Sequence, residues 1–167
     1  MAVAAHVGPA YFRFTREKTP VITTEKTNFE IGKAEVFRDG EDVTIVACGP
    51  LVYQSLVAAE ELKKEEKLSV RVINNHTIKP IDKLTIAKAA KETGAVVTVE
   101  EAQINGGLGG AVAEVLVENY PVPMQRVGMQ DTFGESGTPD ELLDKYGMNV
   151  KSIKEAVLEV LRKKVKR

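Results

Sequence analysis

"AVVTVEEAQINGGLGGAVAEVLVENY", residues 95–120, is the stretch on which the fold turns. A run of small and β-branched residues (95–101) ends in two acids, Glu100 and Glu101. Glycines then crowd the next positions: Gly106, Gly107, Gly109 and Gly110. "AVAEVLVENY" (111–120) follows with apolar residues at helical spacing. Strand, glycine loop, helix is one repeat of a parallel α/β unit. It is also how many proteins hold a phosphate at a helix N-terminus. The dinucleotide fingerprint G-x-G-x-x-G is absent, and the loop follows a third parallel strand rather than the first. The two acids upstream would repel an anion. The pattern therefore predicts a tight turn in which glycine admits close helix packing, at a domain or subunit contact, rather than a phosphate cradle.

The same alternation extends in both directions. "VTIVACG" (43–49) reads as a strand buried on both faces. In the helix after it, Leu51, Ser55, Ala58, Ala59 and Leu62 share one side. "SVRVINN" (69–75) is a strand. "IDKLTIAKAAKETG" (81–94) is a helix with Asp82 as N-cap and Gly94 as stop. "PMQRVGM" (123–129) is a strand, and "TPDELLDKYG" a short helix with Thr138 as N-cap. A final amphipathic helix over 150–164 turns Ile153, Val157, Val160 and Leu161 inward. Before these, Asp39-Gly40 lies between two strand-like runs and predicts a hairpin, with an antiparallel edge strand near 34–38. The expected fold is a three-layer α/β/α sandwich on a mixed five-stranded sheet, four strands parallel and one antiparallel at the edge.

The totals agree with one domain. The chain has 167 residues, with 23 Lys+Arg against 24 Asp+Glu. That balance gives no basic surface for nucleic acid. No apolar run nears the ~20 residues that span a bilayer, and the N-terminus lacks the pattern of a signal peptide. The single cysteine, Cys48, sits in an apolar run, so it reads as a small buried hydrophobe in a cytoplasmic, reduced protein.

No nucleophile–base pair emerges. His76 lies in "NNHTIKP" at a strand's C-terminal end, where open α/β sheets place their sites. Asp131, Glu135 and Asp140 fall in or beside a second such loop, "MQDTFGESGTPDELL". "RDG" at 38–40 and "NN" at 74–75 are similar to the two ends of the diphosphate–Mg²⁺ motif of thiamine diphosphate enzymes, Gly-Asp-Gly and Asn-Asn. That motif needs an aspartate and an asparagine on one metal. Here Arg38 replaces the glycine, Asp39 sits at a turn, and Asn74 and Asn75 end a different strand, so the metal reading is set aside.

Taken in order, "VTIVACGPLVYQSLVAAEELKKE", "VRVINNHTIKPID", "VVTVEEAQINGGLGGAVAEVL" and "FGESGTPDELLDKYGM" resemble the C-terminal domain of transketolase, and most closely its split form. The match covers residues 30–167. "GPAYFRFTREKTP" resembles the last strand of the family's middle, pyrimidine-binding domain, so residues 1–29 read as a remnant of that domain plus a linker.

The resemblance implies a transferase of the pentose phosphate pathway that moves a two-carbon ketol unit from a ketose phosphate to an aldose phosphate. It implies thiamine diphosphate and Mg²⁺ in the full enzyme, held by domains outside this chain, and none bound here. The implied partners are the diphosphate- and pyrimidine-binding domains or subunit, in a homo-oligomer of the full enzyme such as a dimer. By the same resemblance, Arg16 contacts the sugar phosphate, with Arg13 second. His76, Glu100, Glu101, Gly106, Gly107, Gly109, Gly110 and Asp131 are interface candidates, and no catalytic residue lies in the chain. Deoxyxylulose-phosphate synthase, a 2-oxo-acid dehydrogenase β subunit and a nucleotide-binding regulatory domain are the competing readings.

Overall fold

The computed structural model describes residues 2–15 and 17–164. In chain order the elements are a helical turn α1 (Ala2–Ala5), β1 (Glu35–Arg38), β2 (Val43–Ala47), α2 (Leu51–Glu65), β3 (Val70–Asn74), α3 (Lys83–Thr93), β4 (Val96–Gln103), α4 (Leu108–Asn119), β5 (Met124–Met129), α5 (Pro139–Lys145) and α6 (Val150–Lys163). The strands lie in the order β1-β3-β2-β4-β5. β2 pairs in parallel with β3 and β4, β4 pairs in parallel with β5, and β1 runs antiparallel to β3 at the edge. The expected mixed sheet is the one observed.

Strand alternation divides the core in two. Val43, Ile45, Val97 and Val99 point to one face and pack with Leu62, Ile153, Val157 and Val160 of α2 and α6. Val46 and Val96 point to the other and pack with Ile86, Leu108, Val112 and Val115 of α3 and α4. Leu62, Ile153, Val157 and Val160 are inward residues that periodicity picks out. The caps agree as well. Asp82 accepts from Thr85 N at 3.0 Å, and Gly94 ends α3 in the left-handed region at φ 68°. Thr138 and Glu141 form a capping box on α5. Asp82 also accepts from Ala34 N at 3.0 Å, tying the approach to β1 onto α3. Burial opposes its ionisation, but the hydrogen bonds from Ala34 and Thr85 hold its pKa below the usual aspartate value.

Two expectations fail. Asp39-Gly40 does not close a hairpin, because β1 pairs with β3 and not with its sequence neighbour β2. Residues 39–42 instead pass across the start of β3. Glu41 N and Asp42 N both donate to Ser69 O, and Asp42 Oδ2 accepts from Ser69 N at 2.6 Å. Gly40 is needed for that crossing: a Cβ there would lie 2.3 Å from Arg71 N and from Val70 C. Two backbones pass too closely for any side chain. The second failure is "AYFRFTR", which is irregular over residues 10–15 rather than a strand. Its described residues enter no sheet, and Tyr11, Phe12 and Phe14 remain exposed.

Gly40→Ala tests the crossing. The obstructing atoms are backbone and cannot swing away, so the variant should lose about 2 kcal/mol or more in denaturant melts. A hairpin turn with open space would tolerate alanine, and an unchanged midpoint would refute the crossing.

Candidate functional site

The C-terminal ends of β2 and β4 flank the point where the chain reverses its direction of travel across the sheet. Doubly wound folds take their ligands there. Two features of β4 decide what this crevice can do. First, β4 runs to Gln103, further than the apolar run suggests, because Gln103 still registers with Met129 of β5. Both acids lie on the strand, as the run 95–101 implies. Second, alternation turns residues 96, 98 and 100 toward α4. Glu100 is thereby delivered beneath the N-terminus of that helix.

The carboxylate of Glu100 is bound there by the chain's own backbone. Oε2 accepts from Leu108 N at 2.8 Å and Oε1 from Gly109 N at 2.7 Å. The residue is 2% exposed. Two orphan amides of the first turn are satisfied, and the negative charge sits at the positive end of the helix dipole. The glycines make the space. A Cβ on Gly107 would fall 2.0 Å from Glu100 Oε2, and one on Gly109 3.2 Å from Oε1 and 2.9 Å from Arg126 Cδ. On the strand side, a Cβ on Gly128 of β5 would lie 2.9 Å from Ala102 O and from Ile104 Cγ2, and 3.3 Å from Glu100 Cγ. Gly109 and Gly110 belong to the helix itself, which starts at Leu108 and not at Ala111. The loop therefore does hold an anion, and the anion is its own.

A thiamine diphosphate group does not fit these residues. The amides that would face a phosphate are taken by Glu100. Asp39 lies level with the start of β3 while Asn75 follows its end, so about four strand residues, roughly 13 Å, separate them. Among the described residues no cluster of three His, Cys, Asp or Glu side chains could hold a metal.

The neighbouring groups are quiet. Cys48, half-buried at the end of β2, is pushed up to about pKa 12 by burial first and by the Glu100 carboxylate second. It stays a thiol at neutral pH and is a poor nucleophile. Arg13 donates to the Glu101 carbonyl at 2.9 Å and straps the N-terminal segment over the end of β4. Beside the strap, a cleft of about 550 Å³ opens at the ends of β4 and β5, lined among others by Arg13, Glu101, Gln103, Met129, Glu135 and Tyr146. Glu135 pairs with Lys145.

The other residues picked from sequence are dispersed. His76 lies at the end of β3, its ring 5.0 Å from Phe29 and its Nδ1 3.0 Å from Thr77 Oγ1. Asp131 is exposed, at φ 53°. Glu101, Gly106 and Gly110 stay at least partly accessible, while Glu100 and Gly109 are enclosed within the chain. Arg16 lies outside the described residues. Sequence reasoning missed the role of Gly128, and the alternation of β4 and β5 was the signal that could have found it. No helix among the described residues is long and apolar enough to cross a membrane.

Comparisons with known proteins follow the same outline. Residues 32–153 match the family model described as transketolase, C-terminal domain. The chain is 46% identical over 162 residues to the 6-deoxy-6-sulfo-D-fructose transketolase subunit SqwH of Clostridium sp. (strain MSTE9), covering 97% of this chain and 50% of that protein. It is 44% identical over 164 residues to a putative transketolase C-terminal section of Methanocaldococcus jannaschii, covering 96% and 51%. A solved structure titled "Split gene transketolase, inactive beta4 tetramer" superposes with a TM-score of 0.86 at 44% identity, over 90% of this chain and 49% of that one. The chain spans about half the length of these relatives.

Two measurements check the site. Glu100→Ala should cost about 2–3 kcal/mol, since two buried amides lose their acceptor. That corresponds to roughly 5–10 °C in melting temperature. Gly107→Val, which drives the carboxylate out, should do comparable damage, and a wild-type melting curve for either variant would show that the carboxylate is not what holds α4. The second concerns His76, whose burial, partly opposed by the Glu35 carboxylate, lowers its pKa below 6.5. The neutral imidazole is favoured in the fold. Its contribution to stability is complete above pH 6.5 and is lost as pH falls through the lowered folded-state value. NMR titration of the His76 ring should give a midpoint under 6.5; a midpoint above it would reverse that sign.

Proposed function

Since this chain belongs to the transketolase C-terminal domain family, we propose that it is the third domain of a split transketolase-type enzyme, acting in assembly rather than in bond making. One observation carries the reading: the crevice where an α/β sheet would take a ligand is filled by the Glu100 carboxylate on α4. What remains for the domain is surface. Tyr11, Phe12, Phe14 and Phe133 are all strongly exposed, the last at 95%. Phe133 sits on the loop that also borders the cleft beside Arg13. Exposed aromatic groups of this size mark a surface meant to be covered. The pyrimidine- and diphosphate-binding domains are the natural cover.

In this reading residues 1–29 belong to the preceding domain and its linker, and Arg16 meets the phosphate of the sugar. A guanidinium suits that task because its planar fork donates two parallel hydrogen bonds. Thiamine diphosphate and Mg²⁺, held by the other domains, would supply the chemistry that carries the two-carbon unit from ketose phosphate to aldose phosphate. The relatives' names point the same way: one is a transketolase subunit, another a C-terminal section. The free, protonated Cys48 suits the cytoplasm.

A chimera tests the reading. This chain would replace the matching region of the Methanocaldococcus jannaschii section, and the product would be assayed with that protein's N-terminal section. Ketol transfer from a ketose phosphate to ribose phosphate is expected. A chimera that assembles but lacks that transfer would sink the reading, and turnover of pyruvate instead would favour deoxyxylulose-phosphate synthase. The 167-residue chain by itself should show no saturable micromolar binding of thiamine diphosphate with Mg²⁺ by calorimetry, whereas saturation would return the chemistry to this chain.

A further inference from the structure

Residues 29–34 are laid along the loop that follows β3. Three contacts join the two segments, in the same order on both. The Phe29 ring lies 5.0 Å from the His76 ring, inclined by 50°. Gly32 comes next: it stands in the left-handed region at φ 83°, and a Cβ on it would fall 3.1 Å from Pro80 Cγ. Ala34 N then donates to Asp82 Oδ2 at 3.0 Å. Between the first contact and the last, Lys33 N donates to Glu30 O at 3.0 Å and closes a turn. The Ala34 end is fixed, because Glu35 opens β1 and pairs with Asn74 of β3. The Phe29 end is where the contact can part. Behind it, Thr27 N donates to Thr24 O and Thr24 N to Thr27 Oγ1, bonds local to the linker.

Histidine is the side chain whose charge ordinarily changes between about pH 5 and 8, and His76 holds that place in this contact. Phe29 on the linker and Thr77 on its own loop are uncharged, and the Glu35 carboxylate faces it from β1. The other charges at the contact, Lys33 and Asp82, attract each other, and the hydrogen bonds to Asp82 hold its pKa below the usual aspartate value. A proton on His76 would gain from Glu35 and from the face of the Phe29 ring. It would also sit on a half-buried imidazole, where charge loses its water. The pKa of His76 is lowered, so burial outweighs the attraction. We propose that the contact of residues 29–34 with residues 76–82 is a pH-sensitive latch, closed on neutral His76 and opened at its Phe29 end when the imidazole takes a proton. Linkage fixes the sign. The closed latch is complete above pH 6.5 and is lost as pH falls through the lower value of the closed state. The latch sets where residues 1–29 leave the domain, and its use in a full enzyme rests on the reading of those residues as linker and preceding domain.

NMR on the 167-residue chain tests the latch without catalysis. Nuclear Overhauser contacts between the Phe29 and His76 rings should be present at pH 7.5 and fall at least threefold at pH 5.0. The backbone amides of residues 27–31 should become more mobile over the same range, by heteronuclear relaxation. His76→Phe keeps an aromatic partner that takes no proton, so its linker should stay ordered at both pH values. Phe29→Ala removes the cover from the imidazole. Since coupling is reciprocal, it should raise the proton affinity of His76 about threefold. Ring contacts that persist at pH 5.0 would overturn the proposal. So would a loss of order that survives in His76→Phe, or a His76 midpoint that Phe29→Ala leaves in place. None of these readouts depends on ketol transfer. A silent chimera therefore leaves the latch standing, and a failed latch leaves the assembly reading standing.

Discussion

The contact between the Glu100 carboxylate and the first amides of α4 is the constraint on which the rest depends. A buried carboxylate is tolerable only with charge-assisted donors, and here the helix supplies two along with the positive end of its dipole. The consequence runs outward in three directions. Residues 107 and 109 must be glycine or nearly so, because a Cβ at either would crowd the Glu100 carboxylate, while one at 128 would meet Ala102 O and Ile104 Cγ2. α4 must start at Leu108, so that its first turn faces the strand. The crevice at the sheet's switch point is closed from within.

That closure separates architecture from chemistry in this domain. A parallel sheet with glycines at a helix start is the usual scaffold for phosphate, yet fold alone does not decide function. Here one side chain converts an anion site into a packing device. The cysteine beside it follows suit, since burial and the same carboxylate hold it as a thiol. What stays open is surface, with Tyr11, Phe12, Phe14 and Phe133 exposed on it.

Much of the fold was legible in advance. Val43–Ala47 announced a doubly covered strand because five consecutive apolar or β-branched residues leave no face for water. Asp82 and Thr138 announced helix starts because short oxygen-bearing side chains satisfy orphan amides. Asp39-Gly40 misled for a definite reason. Local turn chemistry cannot distinguish a hairpin from a close backbone crossing, as both ask for the residue without a Cβ. "AYFRFTR" reads as a strand with no partner nearby, and since strands need a neighbour to accept their hydrogen bonds, its described residues 10–15 pair with none of the five strands and stay irregular.

The glycine loop shows the same division most clearly. By itself the sequence determined that residues 95–120 form strand, tight loop and helix, and that two acids would spoil the site for an external anion. Hydrophobic periodicity and the φ freedom of glycine are local properties, readable without a fold. Only the tertiary structure decided that one of those acids enters the site and becomes its occupant. That depends on which face residue 100 presents, one position past the Val99–Val127 pairing of β4 with β5. The period-two geometry of a strand is local, but its phase relative to a helix across the sheet is a fact of packing.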